Sequence, residues 1–328
     1  SYGIENPHAI RDFLSYAYKN WSARYVLLVG DATIDYKDLL ENGSNYGVKN
    51  YVPAYLYNYP GLGEVPSDNW FADVDETNGL LPEMAIGRIP AKRKTDVTAV
   101  VNKIISHESS SANSNKILLV ADTAKRADGL PAPDSEQIFE ILSDSIAELT
   151  PFPAYLQSKL YRRNYSGDLK EGLISAINDG QLIVNYSGHG SVTDWTNDDI
   201  FSSEDVANLS NNSDYPFVVA LNCMNGYFML PNDGIVLDGV KQNPSISESF
   251  LLAEGKGGLA VWAASSIGYP SEHDPLAQAL YNLIFKEDVT VLGDAVTEAK
   301  KRAYSNNDIM EDVVQTFIFF GDPATRLK

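Results

Sequence analysis

The chain has 328 residues, 44% of them hydrophobic, which is enough apolar material for one large or two ordinary domains with a sizeable core. Its formal charge of -19, from 44 acidic against 25 basic side chains, argues against nucleic acid and anionic membranes as partners, because both call for a basic surface, and favours cationic ones. No run approaches the ~18 apolar residues that span a bilayer, so no membrane insertion by this chain is expected, and with no charged-then-apolar leader in Ser1 to Glu5 any export signal is expected outside it.

Tyr25-Val26-Leu27-Leu28-Val29 reads as a strand ending in Gly30-Asp31, followed by a polar, tyrosine-rich stretch that reaches Met84-Ala85-Ile86-Gly87-Arg88. Val97, Val100, Val101, Ile104 and Ile105 then fall on one face of a helix. The small polar segment Ser109 to Asn115 has linker composition and sets an expected boundary between an N-terminal α/β unit, residues 1–110, and a C-terminal catalytic unit, residues 116–328. The second unit alternates again. A strand at Ile117–Ala121 precedes a helix carrying Ile138, Ile141, Leu142 and Ile146, and a further helix is capped by Ser166 and closed by Gly180. Apolar runs at Leu182–Ser187 and Phe217–Asn222 are followed by a helix at Ser249–Ala253, a strand at Leu259–Ala263 and helices near Leu276–Phe285 and Ala295–Tyr304. Such alternation implies an α/β fold with a mostly parallel sheet covered by helices on both faces.

Two of these strands end on side chains able to do chemistry. The run Leu182 to Ser187 continues into Gly188-His189-Gly190, and Phe217 to Asn222 ends on Cys223. Catalytic groups in open α/β sheets sit just past the carboxyl ends of parallel strands, so His189 and Cys223 are expected on one rim. Cys223 is the only cysteine, which excludes an internal disulfide or a multi-cysteine metal site and leaves buried filler or reactive thiol. Met224-Asn225-Gly226 interrupt the apolar run there, placing the thiol at the strand's mouth. A cysteine of ordinary pKa about 8.5 needs an imidazole or a positive dipole to become a thiolate at neutral pH. His189 supplies the imidazole and can also protonate a departing amine. The N–H groups of Gly190 and Cys223 are natural oxyanion donors, with a plain turn as the competing reading of Gly190.

Tyr186-Ser187-Gly188-His189-Gly190-Ser191 with Trp195, then Asn222-Cys223-Met224-Asn225-Gly226-Tyr227-Phe228, resemble the catalytic core of the gingipain family of cysteine peptidases. The resemblance continues in order through Val29-Gly30-Asp31, Ser67-Asp68, Ile86-Gly87-Arg88-Ile89-Pro90, Ser247-Glu248 and Phe320-Gly321-Asp322-Pro323. It implies a caspase-like fold of two side-by-side α/β subdomains, a His189/Cys223 dyad and endopeptidase action on proteins or peptides, secreted or at the cell surface of bacteria or archaea. It also implies an acid that orients the catalytic histidine, by position Asp122, and cleavage after Arg or Lys through an acidic pocket. Candidates for that pocket are Asp134 and Glu136 in one loop and Glu272 and Asp274 in another, with Tyr269 as its aromatic wall. No cofactor for catalysis is expected.

Clustered oxygens at Asp73, Asp75 and Asn78 suit a structural calcium ion, which the family binds, although the spacing is not an EF-hand and a metal-free polar turn competes with it. His273, in Ser271-Glu272-His273-Asp274, reads as part of a polar loop, either a metal ligand or part of the substrate rim. The abrupt start is expected to reflect a catalytic domain flanked by others in a longer precursor. Two alternatives share the residues: a sortase-like transpeptidase that uses the same dyad, and a noncatalytic binding scaffold.

Overall fold

The protein is described by a computed structural model that covers residues 6–37, 49–75, 80–110, 114–125, 129–130, 132–133, 137–196, 200–230, 236–237, 240–306 and 310–328. In chain order the elements of the first segment are α1 (Pro7–Trp21), β1 (Tyr25–Val29), β2 (Tyr55–Tyr59), β3 (Gly63–Ser67), α2 (Asn69–Ala72), β4 (Ala85–Ile89) and α3 (Lys94–Ser109). There follow β5 (Lys116–Ala121), α4 (Ile138–Leu149), β6 (Leu156–Tyr161), α5 (Leu169–Asn178), β7 (Ile183–Ser187), β8 (Asp194–Trp195), β9 (Phe201–Ser202) and β10 (Phe217–Leu221). The chain continues with β11 (Val236–Leu237), β12 (Val240–Lys241), α6 (Ile246–Leu252), β13 (Ala260–Ala264), α7 (Pro270–Lys286), α8 (Leu292–Asn306), α9 (Glu311–Thr316) and β14 (Phe317–Phe320).

One eight-stranded sheet, in the order β1-β4-β14-β13-β10-β7-β5-β6, forms the centre of the molecule. Every pairing in it is parallel except β13 with β14. Strands β7, β10 and β13 are buried at every residue because helices cover both faces, which is why their sequences are continuous apolar runs without alternation. At the two margins the pattern relaxes: β1 alternates exposed and buried residues, and β6 has no buried one. Successive residues of the central strands point to opposite faces. Val184, Val218 and Val261 therefore join a core with α5 and α6, whereas Ile183, Phe217 and Ala260 join another with α4, α7 and α8.

One sheet holds strands of both parts, since β4 of the first abuts β14 at the end of the second. Side chains bind the two parts as well. Fully buried Arg88 makes two 2.7 Å hydrogen bonds to the Asp68 carboxylate, donates to the Gly30 and Val52 carbonyls, and stacks 4.7 Å from the Phe228 ring. Lys103 of α3 reaches across to the end of α6, where its ammonium donates to the carbonyls of Phe250, Leu251, Lys256 and Gly258 at 2.6 to 3.2 Å. A cation at the carboxyl end of a helix meets the negative end of its dipole, and here it also satisfies backbone acceptors that α6 leaves without intrahelical donors.

The elements depart from the sequence reading in several places. The tyrosine-rich stretch holds the hairpin β2–β3, and β6, α1, α9 and β14 were not foreseen. The expected Ser166 cap is replaced by Asp168, whose side chain accepts from Glu171 N–H, because Gly167 at φ 116° keeps the chain out of helix until the next residue. Helix α6 begins earlier than read, at a capping box between Ser245 and Glu248. Lys103→Met should remove the charged donor and leave buried carbonyls unpaired, lowering the unfolding free energy by about 3 kcal/mol or more. A urea titration of the folded variant measures this, and a loss below about 1 kcal/mol would assign the clamp no structural weight.

Candidate active site

Strands β7 and β10 pair in parallel with Ser187 opposite Leu221, so His189 and Cys223 each lie two residues past the end of neighbouring strands on the same rim. The two loops touch. A Cβ placed on Gly190 would lie 2.7 Å from the Cys223 carbonyl oxygen and would overlap the Asn222 amide, so only glycine lets the backbones come this close. Gly190 forms an isolated antiparallel bridge with Trp195, closed by Thr196 N–H to the His189 carbonyl (2.9 Å) and Ser191 N–H to the Asp194 carbonyl (3.0 Å). In that pattern the flanking residues exchange the hydrogen bonds, and the N–H of Gly190 itself points away from the pair.

The cysteine sits on a strained turn. Met224, immediately after it, has φ 60°, a left-handed conformation that costs a non-glycine residue roughly 1–2 kcal/mol. Met224 N–H donates to the Ser266 carbonyl (2.8 Å) and Gly226 N–H to the Ala264 carbonyl (2.7 Å), fixing the turn against the end of β13. Cys223 is partly exposed, with Sγ 3.6 Å from the Gly268 carbonyl oxygen. Burial pushes the thiol pKa up, a backbone hydrogen bond at Gly268 opposes that, and the Glu272 carboxylate adds to the rise.

His189 is exposed, with its ring edge-to-face against Phe139 at 5.0 Å. Its backbone is held from below by the buried Tyr186 hydroxyl, which donates to the His189 carbonyl at 2.7 Å and whose ring stacks on Trp195 at 4.5 Å. Asn225 links the two loops. It is fully buried, accepts from the Asn222 amide through Oδ1 (2.8 Å) and donates to the carbonyls of Ser191 (2.6 Å) and Asp194 (3.3 Å).

A family model, peptidase family C25, matches residues 1–328. The chain belongs to that family. Curated C25 relatives include gingipain R2 of Porphyromonas gingivalis, 27% identical over 98% of this chain and 40% of its own length, and gingipain R1 of the same species, 27% identical over 98% of this chain and 30% of its own length. Among solved structures, the Arg-specific cysteine proteinase gingipain R superposes with a TM-score of 0.75 at 22% identity, covering 98% of this chain and 69% of that one. A complex of P. gingivalis RgpB pro- and mature domains gives 0.74 at 21% identity, with coverages of 98% and 70%. The fold is therefore the caspase-like α/β fold expected of the family, and this C25 chain spans well under half the length of these curated relatives.

The remaining expected residues divide by position. Asp122 lies at the end of β5 beside Gly188, but its Oδ1 is taken by Thr123 N–H (2.7 Å) and Arg162 (3.2 Å), and its buried Oδ2 has no hydrogen-bond partner. Among the described residues no hydrogen bond joins Asp122 to the His189 ring. Tyr269 is 58% exposed at the head of α7, and half-buried Glu272 accepts its backbone N–H (3.1 Å) within electrostatic reach of the thiol. Asp274 is exposed and accepts from Gln278 of its own helix. Asp134, Glu136 and Asn78 lie outside the described residues.

Asp73 carries Arg11 as its counter-charge, at 3.2 Å from Oδ2 and bonded to its carbonyl too, and Asp75 N–H donates to Glu83. A guanidinium thus already holds the cation's position at Asp73, so the described members of that set fit calcium poorly. His273 is no rim residue: it is buried inside the first turn of α7, with its pKa pushed down to about 4 by burial. Tyr59 of the unforeseen hairpin also reaches the site, its pKa pushed up to about 12 first by burial and then by Glu272, Asp312, Tyr269 and Cys223.

Glu272→Gln removes a negative charge that opposes the thiolate, so the pH dependence of Cys223 alkylation by iodoacetamide should move to lower pH. Asn225→Ala unties the two loops and should cut kcat/KM about tenfold or more, while circular dichroism stays unchanged.

Proposed function

We propose that this chain is a cysteine endopeptidase that uses Cys223 as nucleophile and His189 as its proton carrier. The observation that carries the reading is the placement of the single thiol, on a left-handed turn at the end of β10 and in backbone contact with the loop that presents His189. Membership of peptidase family C25 supports the same chemistry.

In the forward reaction Sγ forms a bond to the scissile carbonyl carbon, and its proton passes to the His189 ring. Negative charge gathers on the carbonyl oxygen, where the N–H groups of Gly190 and Cys223 receive it; one such donor is typically worth about 100 to 1000-fold in rate. The C–N bond then breaks, with the histidine proton moving to the leaving amine. Water, deprotonated by the same ring, releases the acyl group and restores the thiol. Burial raises the thiol pKa, which favours a proton transfer to His189 that belongs to the attack itself.

For selectivity, Glu272 is the candidate acid, since its charge bears on Cys223, and Tyr269 and Tyr59 belong to the same electrostatic neighbourhood. A substrate with Arg or Lys before the scissile bond would place its cation against that carboxylate and match the acidity of the whole chain. The Arg specificity named for the gingipain R structure agrees with this preference. An extracellular or cell-surface setting and flanking segments in a longer precursor belong to the same proposal, drawn from the resemblance, the greater length of the relatives and the pro-domain complex of one of them.

Incubating the protein and its Cys223→Ala variant with a proteome-derived peptide mixture, and reading new termini by mass spectrometry, tests this. Cuts following basic residues should appear only with the thiol present. Equal cutting by Cys223→Ala would sink the assignment, and cuts that need Cys223 but ignore Arg and Lys would remove the selectivity alone. Because the thiol is pushed up, its alkylation rate should keep rising with pH beyond the ordinary cysteine value of about 8.5.

A further inference from the structure

His273 takes no part in the chemistry above, yet it is a buried titratable side chain packed under Gly268, whose carbonyl faces the thiol. It is 2% exposed. One turn into α7, its ring folds back beneath Gly268, so that a Cβ on Gly268 would overlap Nε2 and lie 3.1 Å from Cε1. The carbonyl of that same Gly268 faces Cys223 Sγ at 3.6 Å. The ring also makes a polar contact with the backbone of Leu221, two residues before the nucleophile, and stands edge-on to Phe317 at 5.4 Å. Nε2 has no hydrogen-bond partner among the described residues, so the ring is held mainly by shape.

The imidazole thus spans the gap between the end of β10 and the continuation of β13, and the thiol lies in that gap. We infer that His273 is a positioning residue for Cys223, a buried strut that fixes the distance between Leu221 and Gly268 and so sets the thiol's surroundings. This rests on Cys223 being the nucleophile. A ring that is neutral at working pH fits the role, since a strut that charged would repel or rehydrate its apolar neighbours. Besides the proposed partner His189, titratable groups within electrostatic reach of the thiol among the described residues are Glu272, Tyr59 and Tyr186, on α7, β2 and β7.

The test compares His273→Phe, which keeps the volume and loses the polar contact with Leu221, with His273→Asn, which keeps a nitrogen near that backbone. For each, kcat/KM on a basic peptide and the pH profile of Cys223 alkylation are measured beside the melting temperature. His273→Phe should lower kcat about tenfold or more, with KM little changed, and displace the alkylation midpoint by about half a unit or more. His273→Asn should recover most of both. Parent-like kcat and alkylation in folded His273→Phe would overturn the inference.

Should His273→Phe fail to fold, Gly268→Ala approaches the contact from the other side. It should displace the alkylation profile as His273→Phe does, and combining it with His273→Ala should add little to the damage of either; strictly additive damage in the double variant would also overturn the inference. Cys223→Ala, run in parallel, separates the two levels: full activity without the thiol refutes the nucleophile, whereas an inactive Cys223→Ala beside a parent-like His273→Phe refutes only the strut.

Discussion

The close approach of two strand-end loops, with Gly190 against Asn222 and Cys223, is the contact from which the rest of the site follows. A side chain at residue 190 would push the loops apart, and His189 and Cys223 at their heads with them. Parallel pairing of β7 and β10 brings the two strand ends level, and the missing Cβ closes the last distance. Asn225 then joins the loops by donating from one to the carbonyls of the other, so the gap is held by hydrogen bonds as well as by shape.

Around that contact the molecule spends stability on geometry. Met224 in left-handed backbone turns the chain sharply after Cys223, and Thr196, at φ 59°, does the same after Trp195. Strain of this kind persists only where neighbours over-determine it. They do so here: Met224 and Gly226 are tied to the end of β13, Tyr186 and Thr196 to the His189 carbonyl, and Ile246 and Ser247 at the head of α6 to Val192 and Asn225. Helix α6 is in turn fixed at its far end by the Lys103 ammonium, so a side chain from the first segment helps hold an element that supports both loops.

Burial and the Glu272 carboxylate both favour the neutral form of the Cys223 thiol. In the proposed reaction its reactivity would then depend on a base at the right place more than on a standing thiolate. On the proposed selectivity, a substrate cation set against Glu272 would weaken that carboxylate's effect on the thiol and so couple substrate binding to ionisation of Cys223.

The central strands β5, β7, β10 and β13 of the second segment, and the two residues proposed to carry the chemistry, were legible in the chain because buried parallel strands write themselves as short apolar runs and the residues at their mouths break the run. His189 and Cys223 could be found that way, since both lie a fixed step past such a run. Helix α7 could not be placed in full, because its head, with two prolines, two acids and a histidine, has the composition of a loop while Glu272 caps it and His273 turns inward. Nor could the sequence say that Asp122 would be engaged by Arg162, or Asp73 by Arg11, since such pairs join residues 40 and 62 positions apart. Local pattern thus determined which elements form and which residues stand at their ends, because propensity and periodicity act over a few neighbours. Only the tertiary structure decided which side chains face the thiol, because contacts between distant segments depend on how the sheet orders its strands.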